Sequence, residues 1–290
     1  MHHHTLRWHH RELALGDRTA IMGIVNVTPD SFSDGGAFYN EDAAVNQALR
    51  LVKDGADILD IGGESTRPYA EDVPAIQEAA RVVPVIRRLT ERVPVPISID
   101  TTKAEVADAA LAAGASMIND IGALAMDPEM AAVAVRHKVP VIVMHMQGTP
   151  RTMQNNPTYT DLIGEVRRFL QDAIDRAVAA GIDPQHIIID PGIGFGKTAA
   201  HNLELIGRLA SLADLKAPLL VGPSRKAFIR KTLAAALGQE PAADRPEVET
   251  GTQAAIAMAV MQGAHIVRVH NVANTRANVR MLDALRRAAA

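Results

Sequence analysis

From Thr19 onward two textures alternate along the chain. Short apolar, β-branched runs recur at 20–25, 58–61, 95–99, 116–119, 139–144, 186–189, 219–221 and 266–269. They largely lack the polar alternation of a half-exposed sheet, as strands covered on both faces do. Between them lie Ala-rich segments with apolar residues at helical spacing, clearest at 42–53, 76–89, 103–113, 129–137, 162–180, 203–212, 247–262 and 276–288. Their ends carry stop and start signals. Gly55, Gly114, Gly181 and Gly263 sit where helices should end, and Thr102 with Glu105 has the spacing of a capping box. Eight strands alternating with helices imply a parallel sheet, either open and doubly wound or closed as a barrel. The count of eight over 290 residues favours a single (β/α)8 TIM barrel spanning 18–290, behind a short extension at 1–17.

That extension predicts a small hairpin from 5–8 and 12–15, followed by Gly16-Asp17. It also holds five of the eleven histidines, His2, His3, His4, His9 and His10. They read as a flexible end or tag remnant rather than a metal site.

Composition narrows the function classes. Apolar residues make up 48% and charged ones 22%, enough for a globular core. Thirty Lys and Arg against 33 Asp and Glu leave −3, which gives no global reason to bind nucleic acid or an acidic membrane. The absence of cysteine removes disulfides, thiol nucleophiles and Cys-ligated metals, and it suits a cytoplasmic setting. No apolar run reaches the roughly 18 residues of a membrane span, and the N-terminus lacks the apolar core of a signal peptide.

In such a barrel, chemistry belongs after the strands, at their C-terminal ends. The polar and Gly-rich residues do fall there. Asn26 opens the first loop, Gly62-Gly63-Glu64-Ser65-Thr66-Arg67-Pro68 the second, and Asp100 and Asn119 close the third and fourth strands. Met144-His145 follow the fifth strand, Asp190 to Lys197 the sixth, Ser224-Arg225-Lys226 the seventh, and Arg268 and His270 the eighth. Three local motifs fail. The segment 192–198 is P-loop-like, but Pro191 stands where a Walker A needs glycine. His265 and His270, five apart on one strand, face opposite sides and cannot share a metal. No nucleophile elbow is present.

Asp100, Asn119 and Asp190 at a barrel mouth suit a ligand edge rich in N–H donors, such as a 2-amino-4-oxo-pyrimidine ring. Lys226 offsets their charge and can meet a ring oxygen or nitrogen. Arg67, Arg268 and His270 make a cationic side suited to phosphate. The plainer readings are helix N-caps for the two aspartates, a simple salt bridge for Arg268, core packing for Met144 and Phe195, and a structural role for His145.

The loops together resemble those of the dihydropteroate synthase family. The likeness rests on Asn26-Val27-Thr28-Pro29-Asp30-Ser31-Phe32-Ser33-Asp34-Gly35-Gly36, Gly63-Glu64-Ser65-Thr66-Arg67-Pro68, Ile99-Asp100-Thr101, Ile118-Asn119-Asp120, Met144-His145-Met146, Asp190-Pro191-Gly192-Ile193-Gly194-Phe195-Gly196-Lys197, Ser224-Arg225-Lys226 and Arg268-Val269-His270. It covers about residues 19–275, in order. The resemblance implies condensation of 6-hydroxymethyl-7,8-dihydropterin diphosphate with 4-aminobenzoate in folate biosynthesis, by a dissociative route. It implies that Asp100, Asn119, Met144, Asp190, Phe195 and Lys226 hold the pterin. Asn26, Thr66, Arg268 and His270 would take the diphosphate, with Asn26 ligating Mg²⁺. Phe32, Thr66, Arg67, Pro68, Phe195 and Ser224 would shape the aminobenzoate pocket, and Gly35-Gly36 would supply a hinge. Asp100, Lys226, Arg268 and His270 are the implied catalytic residues, and a homodimer, with 252–261 as a candidate contact, the implied assembly. Asn271 departs from the family, which commonly has Asp after this histidine. A methyltetrahydrofolate-type pterin-binding methyltransferase or an inactive paralogue are the competing readings.

Overall fold

The computed structural model describes residues 2–28, 37–65 and 72–289. The first elements are an antiparallel hairpin, β1 (His4–Trp8) and β2 (Arg11–Leu15). Eight parallel strands follow: β3 (Ala20–Asn26), β4 (Ile58–Gly62), β5 (Ile97–Asp100), β6 (Met117–Asp120), β7 (Val141–Met144), β8 (Ile187–Asp190), β9 (Leu220–Val221) and β10 (Ile266–Val269). Their order is β8-β7-β6-β5-β4-β3-β10-β9. The two ends of that order meet, because Ile189 bridges Leu219 and its N–H donates to the Pro218 carbonyl at 2.9 Å. The sheet therefore closes into a (β/α)8 barrel.

The helices among the described residues are α1 (Ala37–Asp54), α2 (Ala75–Thr90), α3 (Ala104–Ala112), α4 (Met130–His137), α5 (Leu162–Ala179), α6 (Ala199–Gly207), α7 (Ala227–Leu237), α8 (Pro246–Met261) and α9 (Val272–Ala288). The strands are mostly apolar because helices cover their outer faces and the barrel interior their inner ones; all five residues of β4, Asp60 included, are buried. Gly55, Gly114, Gly181 and Gly263 take φ between +99° and +113° after α1, α3, α5 and α8, a conformation that costs glycine nothing.

Three expectations are corrected. Helix α7 was not among the segments read as helical; only Phe228 and Ile229 of it are buried, so its apolar spacing is weak. The segment 203–212 is split between α6 and a 3₁₀ stretch, Leu209–Leu215. No capping box forms at Thr102. The N-cap of α3 is Lys103, and the Ala104 N–H donates instead to the Asp127 carboxylate at 2.8 Å.

The N-terminal hairpin exists as expected, but it is no flexible end. Leu6, Trp8, Leu13 and Leu15 are buried and continuous with the barrel core. His4 lies in β1 with its ring edge-on to His265 at 4.9 Å, and His9 Nε2 meets the His137 carbonyl at 2.9 Å. Burying four large apolar side chains at about 2 kcal/mol each makes the hairpin a cap on the barrel's N-terminal face.

Candidate active site

In a parallel sheet, residues paired in register share a face. Asn26 pairs with Gly62, Gly62 with Asp100, and Asp100 with Asn119, so the ends of β3 to β6 present one inward row. Met144 pairs with Asp190 across β7 and β8 in the same way. Gly62 lies beside Asp100 in this row, and an ideal Cβ placed on it would stand 3.5 Å from the Asp100 Cβ, an ordinary contact.

The row is knitted from behind by Arg268 of β10. Its Nε donates to Asp60 Oδ2 at 2.6 Å and its Nη2 to Asp100 Oδ2 at 2.5 Å. Asn119 Nδ2 donates to the same Asp60 oxygen at 3.0 Å. Arg268 thus sits among the carboxylates, and the acidic and cationic sides of the mouth are interleaved rather than separate. Facing two carboxylates keeps the guanidinium charged even though it is buried. Burial lifts Asp100 well above the ordinary carboxylate range; Arg268 opposes this and Asp60 adds to it. Asp190 is raised for the same first reason, with Lys226 pulling the other way.

Asp60 is the site residue that the sequence reading missed. It is fully buried in the middle of β4, and its Oδ1 has no hydrogen-bond partner. The signal was available: a carboxylate inside Ile58-Leu59-Asp60-Ile61 is too costly to bury without a cation, and Arg268 in β10 is the matching one.

The opposite wall is built by the segment after β8. Met144, Met146, Met153 and Ile121 form a small apolar cluster separate from the main core, and Phe195 packs on it. Lys226, the N-cap of α7, reaches across to the Ile193 carbonyl and places its ammonium 4.4 Å from the Phe195 ring centre. Burial lowers the lysine to about 8, against the pull of Asp190. Of the neighbouring rim residues, Ser224 Oγ lies 3.0 Å from His270 Nδ1, and the His270 N–H donates to the same oxygen at 3.3 Å. The tautomer that accepts from Ser224 carries its proton on Nε2.

Asp100, Asn119 and Arg268 are therefore in one hydrogen-bonded network, Met144, Phe195 and Lys226 in one wall, and Ser224 and His270 in one pair. Phe32, Thr66, Arg67, Pro68 and the Gly35-Gly36 hinge lie outside the described residues. His145 is buried with Nδ1 2.8 Å from Lys197 Nζ, and Asn271, the departure from the family, is the N-cap of α9, accepting from the Asn274 N–H at 3.1 Å. No group of three or more His, Asp or Glu that could hold a metal occurs among the described residues.

The chain is similar to known proteins over most of its length. The family described as pterin binding enzyme matches residues 22–270. A dihydropteroate synthase of a Synechocystis species is 50% identical over 270 residues, 93% of this chain and 91% of that one. Among solved structures, the Yersinia pestis dihydropteroate synthase in a sulfonamide drug complex superposes with a TM-score of 0.88 at 44% identity, covering 99% of this chain and 100% of that one. The Xanthomonas albilineans enzyme with 4-aminobenzoic acid gives 0.87 at 44% identity, with 98% and 99% covered.

Proposed function

The chain belongs to the dihydropteroate synthase family of pterin-binding enzymes, and on that premise we propose how its barrel mouth carries out the family's transfer reaction. The reaction joins 6-hydroxymethyl-7,8-dihydropterin diphosphate to 4-aminobenzoate and releases 7,8-dihydropteroate and diphosphate. The observation that carries the assignment of roles is the buried Asp60–Arg268–Asp100–Asn119 network. It presents carboxylate and amide acceptors, one of them unpartnered, to the barrel axis, and the N–H-rich edge of a pterin supplies the donors such acceptors need. Asp190 extends that acceptor row, Lys226 meets a ring acceptor, and Met144 and Phe195 cover the ring's faces.

The leaving diphosphate is taken by the Ser224–His270 pair and by the N–H groups of Arg268 not used by its two carboxylates, and the family resemblance assigns Thr66 the same role. When the C–O bond breaks, its electron pair leaves with the diphosphate. The methylene carbon becomes cationic and shares its charge with the pterin ring, next to Asp100 and Asp190. The nitrogen of 4-aminobenzoate then attacks that carbon; the family resemblance assigns Phe32, Thr66, Arg67, Pro68, Phe195 and Ser224 to its binding. The amine loses its proton after the bond has formed, and the released diphosphate accepts it, so no dedicated base is needed.

Asn26 fits an Mg²⁺ site. It ends β3 on the inward row, and an ion that completes its shell with phosphate oxygens and water needs only one protein oxygen. The ion would supply charge neutralisation of the diphosphate.

A homodimer is supported by Met258 and Met261 of α8 and Met281 and Leu285 of α9. All four are about half exposed on two helices packed against each other. Sedimentation equilibrium tests it, with a monomer at micromolar concentration as the refuting result. Among the described residues no helix is long and apolar enough to cross a membrane, and the cysteine-free composition supports a cytoplasmic setting.

The deciding experiment mixes purified protein with both substrates and Mg²⁺ and follows diphosphate release. Turnover is expected; pterin binding without turnover would favour the inactive paralogue. Positional isotope exchange within the diphosphate in the absence of aminobenzoate is expected from the cationic route. Strict dependence of C–O cleavage on the amine would overturn it.

A further inference from the structure

Lys197 lies in the P-loop-like stretch 192–198, yet its side chain turns into the protein. It is 3% exposed, and its ammonium has three acceptors: His145 Nδ1 at 2.8 Å, the Gly192 carbonyl at 2.9 Å and the Phe195 carbonyl at 3.0 Å. A buried lysine is costly, and a methionine of similar length would fill the same space but withdraw the donor from His145 Nδ1 and from the Gly192 and Phe195 carbonyls. The ammonium must therefore do something that packing does not.

What it does is visible in the backbone. Residues 191–197 lie outside the strands and helices, and side chains donate to most of their carbonyls. Lys226 donates to Ile193, Gln154 to Gly194, Tyr159 to Gly196, and Lys197 to Phe195 and Gly192, the last of which also accepts the Phe195 N–H at 3.1 Å. Gly192, Gly194 and Gly196 all take positive φ, at +69°, +85° and +59°, and turn the chain around the lysine. Two of the carbonyls so directed point inward to Lys197. The Phe195 ring is left on the other side, between the methionine cluster and Lys226. The anchor itself is rigid. The His145 N–H donates to the Asp190 carbonyl at 2.9 Å, and its ring stands edge-on to Phe169 at 4.9 Å. Burial and the adjacent ammonium keep the imidazole neutral, as an acceptor at Nδ1 must be.

We propose that Lys197, held by His145, is a positioning residue that sets the Phe195 ring as one wall of the pterin slot, so that affinity for the pterin ring depends on this buried pair while affinity for diphosphate does not. The inference rests on the pterin reading given above.

The test uses the full chain and two probes, 6-hydroxymethylpterin, which has the ring without diphosphate, and inorganic diphosphate with Mg²⁺. Lys197→Met and His145→Leu are expected to weaken the ring probe about tenfold, the effect of losing one charge-assisted hydrogen bond, and to leave the diphosphate affinity within about twofold. His145→Asn keeps an acceptor near the place of Nδ1, and is expected to bind the ring within about threefold of the unsubstituted protein. The double variant Lys197→Met/His145→Leu is expected to be no weaker than the worse single one, since the two act as a unit. Thermal melts identify which variants fold, and the histidine pair carries the test if Lys197→Met does not. The proposal is overturned if a folded Lys197→Met or His145→Leu binds the ring as the unsubstituted protein does, if His145→Asn is as impaired as His145→Leu, or if both probes weaken equally. Failure of the unsubstituted protein to bind the ring would instead overturn the pterin reading, and this inference with it.

Discussion

The two ends of the barrel are built from the same eight strands and handle polar groups in opposite ways. At the N-terminal end the hairpin seals the barrel with Leu6, Trp8, Leu13 and Leu15, and the buried histidine there is satisfied on both nitrogens. His265 Nδ1 accepts from the Leu219 N–H at 3.0 Å and Nε2 meets the His2 carbonyl at 2.9 Å. At the C-terminal end, Asp60, Asp100 and Asp190 are held in the barrel mouth with two cations, Arg268 and Lys226, and Asp60 Oδ1 is left without a partner. One end minimises the cost of folding. The other retains electrostatic cost, which a bound ligand can relieve. Stability and chemistry are thus separated along a single axis, and substitutions at the two ends should differ in kind.

The largest effect is expected for Arg268→Met. Steady-state diphosphate release should fall roughly 10³-fold. Denaturant melts at pH 7 should show a loss of about 3 kcal/mol or more, because two buried carboxylates lose their cation. Part of that stability should return at pH 5, as Asp100, already raised by burial, takes up a proton. Near-normal turnover would remove the rim network from the mechanism. Next comes Leu6→Ala, at the opposite end. It should cost ~2–5 kcal/mol through the cavity it leaves, with KM for both substrates unchanged in the folded protein. A shifted KM would mean that the ends are coupled.

A smaller effect distinguishes the two buried histidines. Burial lowers His145 to about 3 and His265 to about 4. Both stay neutral in the folded chain while the unfolded chain takes up protons below pH ~6.5. Their contribution is therefore complete above that pH and is lost as pH falls toward their folded values. Melts from pH 7 to 4.5 should show His265→Gln and His145→Leu each removing part of the acid limb, about 2.5 kcal/mol apiece at most, with only the latter weakening ring affinity. Unchanged acid limbs would refute the neutral assignment. The smallest effect is expected for Asn271→Asp. Either residue caps α9, so stability should move by less than ~0.5 kcal/mol and kcat/KM by less than about twofold. A larger change in kcat/KM would show that Asn271 acts on the neighbouring His270 as well as on the helix.

Much of the rim was legible because its residues are chemically out of place. Asp100, Asn119, Asp190 and Arg268 stand out at the ends of apolar runs, and the loop motifs carry the family likeness. Asp60 escaped because it lies within a strand rather than at its end, where the search for chemistry was directed. Helix α7 escaped because only Phe228 and Ile229 of it are buried, which leaves little apolar periodicity along the rest. The Thr102 cap failed because a carboxylate from the next loop, Asp127, reached the helix first. The N-terminal histidines looked like a tail because composition carries no record of the apolar residues interleaved with them, which bury the hairpin.

By itself the sequence determined the strand and helix order, the closed barrel and the family, since periodicity, glycine stops and strand-end motifs are properties of neighbouring residues. Only the tertiary structure decided which charges meet. Arg268 lies 208 residues from Asp60 and 168 from Asp100 along the chain, and Lys197 lies 52 from His145. Local pattern carries no information over such separations. Closure of the sheet brings these groups within hydrogen-bonding distance, and low polarizability in the barrel mouth makes the resulting contacts strong enough to define a site.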